Sequence, residues 1–358
     1  MKYTVEKKAG KPAYMQIYDQ LRRDIVSGVL PKGAKLPSKR LLAQELGVSV
    51  ITVEHSYELL TDGGYIRPRQ RSGYYADYGA PAPPVRRAAL EDMSAELKSM
   101  EDFPFSVLAR TMRRVLSDMD RRLLIKSPNA GCPELREALA DYLCRSRGIV
   151  AAPEQIIVGA GAEYLYSMAA QLLGRERRFA LESPCYEKIR LVYAANGLDC
   201  ASLPLEEDGI SSAALEACDA GVLHITPFHS YPSGVTASAA KRREYIRWAQ
   251  ERGAYIIEDD YDSEFAAAGE PSEPVFTLDA ERVIYISTFS KLLAPSMRTG
   301  FMILPQALLE RQREKIGFYS CTVPVFEQHV LAEFINSGDM ERYINRRRRA
   351  MNKKGENK

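Results

Sequence analysis

The 358-residue sequence contains no apolar run near the roughly 18 to 20 residues needed to cross a bilayer, so a membrane span is not expected. Its opening stretch, Met1 to Lys11, is too polar for a secretory signal, and the cytoplasm is the expected location. The six cysteines, Cys132, Cys144, Cys185, Cys200, Cys218 and Cys321, form no CxxC pair and have no histidine at ligand spacing. That pattern points to reduced, mostly buried thiols, and no metal site is expected. Net charge is only +2, too small to imply a polyanionic partner on its own. What is present is a hydrophobic fraction of 46% and a charged fraction of 27%, the balance of packed globular domains. The length suits two such domains of roughly 100 to 200 residues each. The charge is also uneven: residues 1–78 hold 13 Lys/Arg against 8 Asp/Glu, an excess that suits contact with phosphates.

From Ala13 to Ser27 the residues Tyr14, Ile17, Tyr18, Leu21 and Ile25 recur every three or four positions, which predicts one buried stripe of a helix ended by Gly28. After a Pro31/Gly33 turn, Pro37-Ser38 opens a second helix carrying Leu41, Leu42 and Leu46 and stopped by Gly47. Ser49 caps a third, with Val53, Tyr57 and Leu60 inward and Thr52, His55 and Ser56 on the exposed face, until Asp62-Gly63-Gly64. The four-residue link between helices two and three fits a helix-turn-helix whose second member enters the major groove. Two short strands, Tyr65-Ile66 and Tyr74-Tyr75, then flank a basic tip, Arg67 to Gly73, suited to gripping phosphates or a minor groove.

The text Pro37-Ser38-Lys39-Arg40-Leu41-Leu42-Ala43, followed by Gly47-Val48-Ser49-Val50-Ile51-Thr52-Val53, resembles the GntR family of bacterial transcription regulators over nearly all of residues 12–78. The resemblance implies double-stranded DNA as partner, with contacts from Lys39, Arg40, Ser49 and Thr52 and from the wing residues Arg71, Ser72 and Gly73. His55 is either a further contact or an exposed residue of the same helix. Val50 stands where many relatives carry arginine, so the bidentate guanine pairing of those relatives is missing here.

Residues 79–89 are rich in proline and suit an extended connector, and the expected organisation is a winged helix-turn-helix at 1–78, a linker at 79–100 and a second domain at 101–358. In the second domain, helical patterns such as Leu135 to Cys144 alternate with short apolar strands: Gln155 to Val158, Arg178 to Leu181, Val222 to Ile225, Tyr255 to Ile257 and Val283 to Ile286. That alternation predicts an open α/β sheet, whose ligands gather at the carboxyl ends of its strands. Gly159-Ala160-Gly161-Ala162-Glu163 turns one strand into a helix whose N-terminus suits an anion, though alone it is an ordinary strand-to-helix turn. Tyr186 follows the next strand. Glu258-Asp259-Asp260-Tyr261-Asp262 crowds four carboxylates that repel unless solvated or neutralised. The strongest local signal is Ser287-Thr288-Phe289-Ser290-Lys291 with Arg298 seven residues on.

Together with Thr226-Pro227-Phe228-His229-Ser230-Tyr231-Pro232-Ser233-Gly234, these phrases resemble the pyridoxal-phosphate aminotransferases of fold type I and, given the N-terminal segment, the MocR subfamily of regulators. The resemblance implies that Lys291 forms the Schiff base with pyridoxal 5'-phosphate, that Asp259 faces the pyridine nitrogen, that Tyr261 bonds the phenolic oxygen and that Tyr186 stacks on the ring. Backbone N–H groups at Gly161 and Ala162, with Thr288, Ser290 and Arg298, would hold the phosphate. Several positions depart from working aminotransferases: Tyr231 replaces the asparagine before the Pro-Ser-Gly turn, and Lys188 stands where some relatives carry a carboxylate-binding arginine. Only 67 residues follow Lys291, where relatives continue into a small C-terminal subdomain, and the last of them read as a solvated basic tail. The expected function is a dimeric, DNA-binding regulator that senses pyridoxal phosphate or its adduct with an amino acid or amine, and not a turnover enzyme. A working aminotransferase that carries a DNA-binding domain, and a remnant that binds DNA without an effector response, are the alternatives.

Overall fold

A computed structural model describes residues 3–5, 11–70, 72–78, 103–261, 263–265, 273–294 and 296–355. The chain forms two compact units, Met1–Glu96 and Leu97–Lys358, and the predicted linker at 79–100 lies outside the described residues. In the first unit, α1 (Ala13–Val26), α2 (Lys39–Leu46) and α3 (Val50–Asp62) precede a hairpin of β1 (Ile66–Arg69) and β2 (Gly73–Ala76). Caps set the helix ends. Ser38 accepts from the Leu41 N–H, and Gly47 closes α2 in the left-handed conformation at φ 63°. Ser49 caps α3 through the Thr52 N–H, so the link between these helices is three residues, one fewer than expected. Ile17, Leu21 and Ile25 of α1 close on Leu42 of α2 and on Val53, Tyr57 and Leu60 of α3 as one core.

Three further expectations for this unit are corrected. Ser56 is buried, because its hydroxyl donates to the carbonyl oxygens of Tyr14, at 2.8 Å, and Thr52, at 3.0 Å, tying α3 to α1. Leu41 is exposed, and Ala43 takes the inward place beside Leu42. The basic tip is shorter than predicted, since Arg67, Pro68 and Arg69 pair across the hairpin with Tyr75, Tyr74 and Gly73. Pro68 is tolerated because a two-stranded ribbon leaves one side of each strand unpaired.

The second unit is built on an eight-stranded sheet of β3 (Ile156–Gly159), β4 (Phe179–Ser183), β5 (Cys200–Glu206), β6 (Gly209–Ile210), β7 (Val222–Ile225), β8 (Tyr255–Asp260), β9 (Val283–Thr288) and β10 (Gly300–Ile303). The spatial order is β3-β10-β9-β8-β7-β4-β5-β6; β5, β4, β7, β8 and β9 run parallel, and β10 is antiparallel to both its neighbours. The longer helices are α4 (Phe105–Met119), α5 (Pro133–Arg147), α6 (Ala162–Leu173), α7 (Glu187–Ala195), α8 (Ala239–Arg252), α9 (Val325–Asn336) and α10 (Asp339–Gly355). Alternation along the central strands fills two cores, one on each face: Ile256 and Tyr285 point to one, Ile257, Ile284 and Ile286 to the other. Strands β5, β6 and β10 were not expected from the sequence. β5 carries Pro204 and mixed burial, and β10 opens on Gly300, so neither presents a clean strand pattern. Among the described residues no helix is long and apolar enough to cross a membrane.

Candidate cofactor and DNA-binding sites

At the carboxyl ends of the parallel strands lies a cavity of about 290 Å³, lined by Ala162, Tyr186, Asp259, Tyr261, Thr288, Ser290, Lys291 and Arg298. These are all the predicted cofactor residues except Gly161. Four residues not singled out for the cofactor complete the lining: Glu163, Tyr166, Thr226 and Tyr231.

Glu258, Asp259 and Asp260 belong to β8 itself and do not form a turn beyond it. The pleat separates them. Glu258 accepts the N–H groups of Val275 and Phe276 at 2.9 and 2.8 Å, and Asp260 accepts from Arg147 at 2.9 Å and from the Tyr285 hydroxyl at 2.6 Å. The expected repulsion is therefore relieved by backbone donors and a buried guanidinium. Asp262 lies outside the described residues. Asp259 accepts the Tyr166 hydroxyl at 2.5 Å through Oδ2, whereas its buried Oδ1 has no partner among the described residues. Burial, with the charges of Asp260 and Glu163, pushes the Asp259 carboxyl up to about 7 against the pull of Tyr166. A buried, half-satisfied carboxylate lining the cavity of Lys291 fits a cationic ring nitrogen such as that of a pyridinium.

The opposite end of the cavity suits a phosphate. Gly161 has φ +91°, and a Cβ there would stand 2.8 Å from Arg298 Nη2, so only glycine leaves this approach clear. Its own N–H donates to Gly159 O at 2.8 Å, and the free donors of the α6 N-terminus begin at Ala162. Ser290 Oγ is buried without a partner among the described residues, while Thr288 Oγ1 accepts the Ser290 N–H at 3.1 Å and acts as a cap. Arg298 pairs with Glu163 at 2.7 Å, and Glu163 also binds Lys188 at 3.2 Å. The lysine that stands in place of a substrate-binding arginine is thus committed to a neighbouring carboxylate.

Tyr261 lines the cavity beside Lys291. Its hydroxyl donates to His229 O at 2.6 Å, and its ring centroid lies 4.6 Å from Lys291 Nζ. His229 sits in the left-handed region at φ 47°, in a loop closed by the Ser230 N–H to Val235 O bond, which brings its carbonyl within reach. Tyr186 meets Tyr231 edge to face at 6.0 Å.

In the first unit, Arg40 is exposed and makes no hydrogen bond or ion pair with the described residues. Lys39 pairs with Glu54 and lies 5.7 Å from the centre of the Tyr74 ring, so it braces α2 against α3. Ser49 and Thr52 share a hydroxyl contact of 2.8 Å at the start of α3, where Val50 and Ile51 are 42% and 76% exposed. His55 is exposed but stacked on Tyr14 at 4.3 Å. On the hairpin, Ser72 bonds the Tyr75 hydroxyl at 2.7 Å and Gly73 takes φ +111°; Arg71 lies outside the described residues.

The fold and the cavity define a winged helix-turn-helix joined to an aminotransferase-like α/β domain. Residues 13–75 match the family described as bacterial regulatory proteins, gntR family, and residues 95–355 match aminotransferase class I and II. The chain belongs to the HTH-type transcriptional regulators that join these two domains. The uncharacterized HTH-type transcriptional regulator YdeL of Bacillus subtilis is 36% identical over 96% of this chain and 77% of its own. The probable rhizopine catabolism regulatory protein MocR of Rhizobium meliloti is 30% identical over 96% and 76%. Among solved structures, the α-aminoadipate aminotransferase LysN of Thermus thermophilus, complexed with N-(5'-phosphopyridoxyl)-L-leucine, is 26% identical with a TM-score of 0.59, over 70% of this chain and 64% of its own. The chain therefore spans about three quarters of the curated relatives and under two thirds of that aminotransferase.

Proposed function

We propose that the protein is a cytoplasmic, DNA-binding transcription regulator whose second domain holds pyridoxal 5'-phosphate on Lys291. It responds to the cofactor, or to an amino acid or amine joined to it, as a homodimer presenting two DNA-binding domains. The observation that carries this reading is the unpartnered Asp259 Oδ1 in the same cavity as Lys291. LysN, which shares the fold, was solved with a phosphopyridoxyl ligand, and that supports the same chemistry here.

When bound, the cofactor supplies an aldehyde carbon for an amine and a ring that draws electrons from it. The chain's own part is positioning. Asp259 holds a proton on the ring nitrogen, oriented by Tyr166 through the 2.5 Å bond. Ser290, Arg298 and the N–H groups from Ala162 onward bind the phosphate, and Tyr186 bounds the ring's space. Because Lys188 is held by Glu163, no fork of donors is offered to a second substrate's carboxylate at that position, which favours sensing over turnover.

On DNA, α3 enters the major groove with Thr52 and the helix-capping Ser49 at its leading end, His55 one turn on, and Arg40 on the backbone. The exposed Val50 and Ile51 suit thymine methyl groups, an apolar readout in place of the guanine pairing that an arginine makes. Arg71, Ser72 and Gly73 form the wing contact. Purified protein is mixed with pyridoxal phosphate, reduced with borohydride and analysed by peptide mass spectrometry, beside Lys291→Ala, and DNA affinity is measured with and without the cofactor. A phosphopyridoxyl group on Lys291 and a cofactor-dependent DNA affinity are expected. An unmodified wild-type Lys291 sinks the cofactor reading, and an unchanged DNA affinity sinks the sensor.

A further inference from the structure

A second constellation lies apart from the cavity, where the start of α5 meets α9. Cys132 is the residue before α5, Glu134 is in its first turn and His329 is on α9. Their ligand atoms, one thiol sulfur, one carboxylate oxygen and one imidazole nitrogen, all lie within 4.8 Å of one another. The sequence separates His329 from the other two by nearly two hundred positions, so no local spacing announces the group.

The positions are held independently of any ligand. Gln328, beside His329 and fully buried, accepts the Cys132 N–H at 2.7 Å through Oε1 and donates to Val323 O at 2.8 Å through Nε2. One side chain thus locks the backbone of Cys132 to α9 next to the histidine. Meanwhile the Glu134 carboxylate and the His329 ring have no hydrogen-bond or ion-pair partner among the described residues. A buried thiol, a half-buried imidazole and an exposed carboxylate give the group a closed floor and an open mouth.

We infer that Cys132, Glu134 and His329 bind a borderline-soft divalent cation of the Zn²⁺ class, tying the first turn of α5 to α9. Sulfur and imidazole ligands select against Mg²⁺ and Ca²⁺, which take oxygen, and three protein ligands leave one tetrahedral position to water. As the metal–sulfur bond forms, the Cys132 thiol releases its proton to solvent. The segment before α5 is also held from the other side: Val158 of β3 donates its N–H to Ala130 O at 2.9 Å, and a Cβ on Gly131 would stand 2.7 Å from Val158.

The test uses the reduced full-length chain, titrated with Co²⁺ as a spectroscopic probe and then with Zn²⁺. One equivalent of Co²⁺ should give a sulfur-to-cobalt charge-transfer band with tetrahedral ligand-field absorption, both displaced by Zn²⁺. Cys132→Ser should lose the charge-transfer band. His329→Gln and Glu134→Gln should weaken Co²⁺ binding by roughly tenfold or more. Replacing the exposed Cys144 by serine should change nothing. No charge-transfer band at one equivalent, or a band that survives Cys132→Ser, overturns the inference. Should Cys132→Ser fail to fold, the exposed Glu134→Gln decides alone: undiminished Co²⁺ affinity there overturns it as well.

Discussion

Arg40 stands exposed with no partner among the described residues, whereas Asp259 is buried with one of its two oxygens satisfied. The two units therefore prepare for their ligands by different physics. On the first, charge projects into water, where it acts over about a Debye length and weakens with salt. In the second, polar groups have already lost their hydration, so an incomplete set of bonds makes the site selective for whatever completes it. A surface of the first kind tolerates the removal of any one side chain, and a cavity of the second kind does not.

The sharpest way to separate the two is Lys291→Ala, which should abolish borohydride-fixed cofactor entirely while leaving DNA affinity without cofactor unchanged. Tyr166→Phe comes next. It strips Asp259 of its only donor from within the described residues, a loss of about 1–3 kcal/mol, so cofactor affinity should fall by roughly tenfold. Equilibrium dialysis reads that change, and an affinity equal to wild type would show that Tyr166 does not orient the carboxylate. Arg40→Ala should weaken binding to duplex DNA several-fold and reduce the slope of log affinity against log salt by about 1, with cofactor binding untouched. A slope that does not change would remove Arg40 from the phosphate contacts.

The contrast also predicts a pH dependence for the second unit. Burial pushes Glu182 up to about 8 and Glu258, Asp259 and Glu264 up to about 7. In the folded chain these carboxyls keep protons that the unfolded chain loses near pH 4, so the stability they contribute is complete in acid and is lost as pH rises through 7 and 8. His224, pushed down to about 3 by burial, has the opposite sign and contributes stability that is lost as pH falls below its ordinary 6.5. Four groups outweigh one across the neutral range. Calorimetry on protein prepared without cofactor should give a melting temperature a few degrees lower at pH 8.5 than at pH 6. Glu182→Gln, which removes the carboxyl bonded to Ser230, should flatten that fall, and an equal fall in the variant would exclude Glu182 as a source.

The smallest expected effect lies where the two kinds of preparation meet. Glu163 is a carboxylate inside the phosphate end of the cavity, paired with a half-exposed Arg298. Glu163→Gln releases that guanidinium, and because such pairs contribute about 1 kcal/mol or less, inorganic phosphate should bind up to about fivefold tighter. Weaker binding in the variant would mean that Glu163 positions Arg298 and does not compete for it.

Legibility in the sequence follows the same division. Features fixed by near neighbours are readable: the serine caps at Ser38 and Ser49, the stop at Gly47, and the residues that collect around Lys291 at successive strand ends. Features fixed by distant partners are not. Tyr166 sits on α6, and only the fold shows that its hydroxyl meets Asp259, 93 positions away. Ser56 reads as exposed because a small hydroxyl carries no burial signal until Tyr14 O is placed beside it. Gly161 is legible as a turn, but the clearance it leaves for Arg298 shows only once the two are placed together.

Strand β8 carries one more consequence. Of its three consecutive carboxylates, Asp259 alone turns to the cavity because side chains alternate at a period of two. Adding one residue ahead of them would put Glu258 in the place of Asp259 and send Asp259 toward Arg147; deleting one would put Asp260 there and send Asp259 toward the N–H groups of Val275 and Phe276. The segment therefore has a phase as well as a composition: its chemistry survives substitution at many neighbouring positions but not a change of length by one.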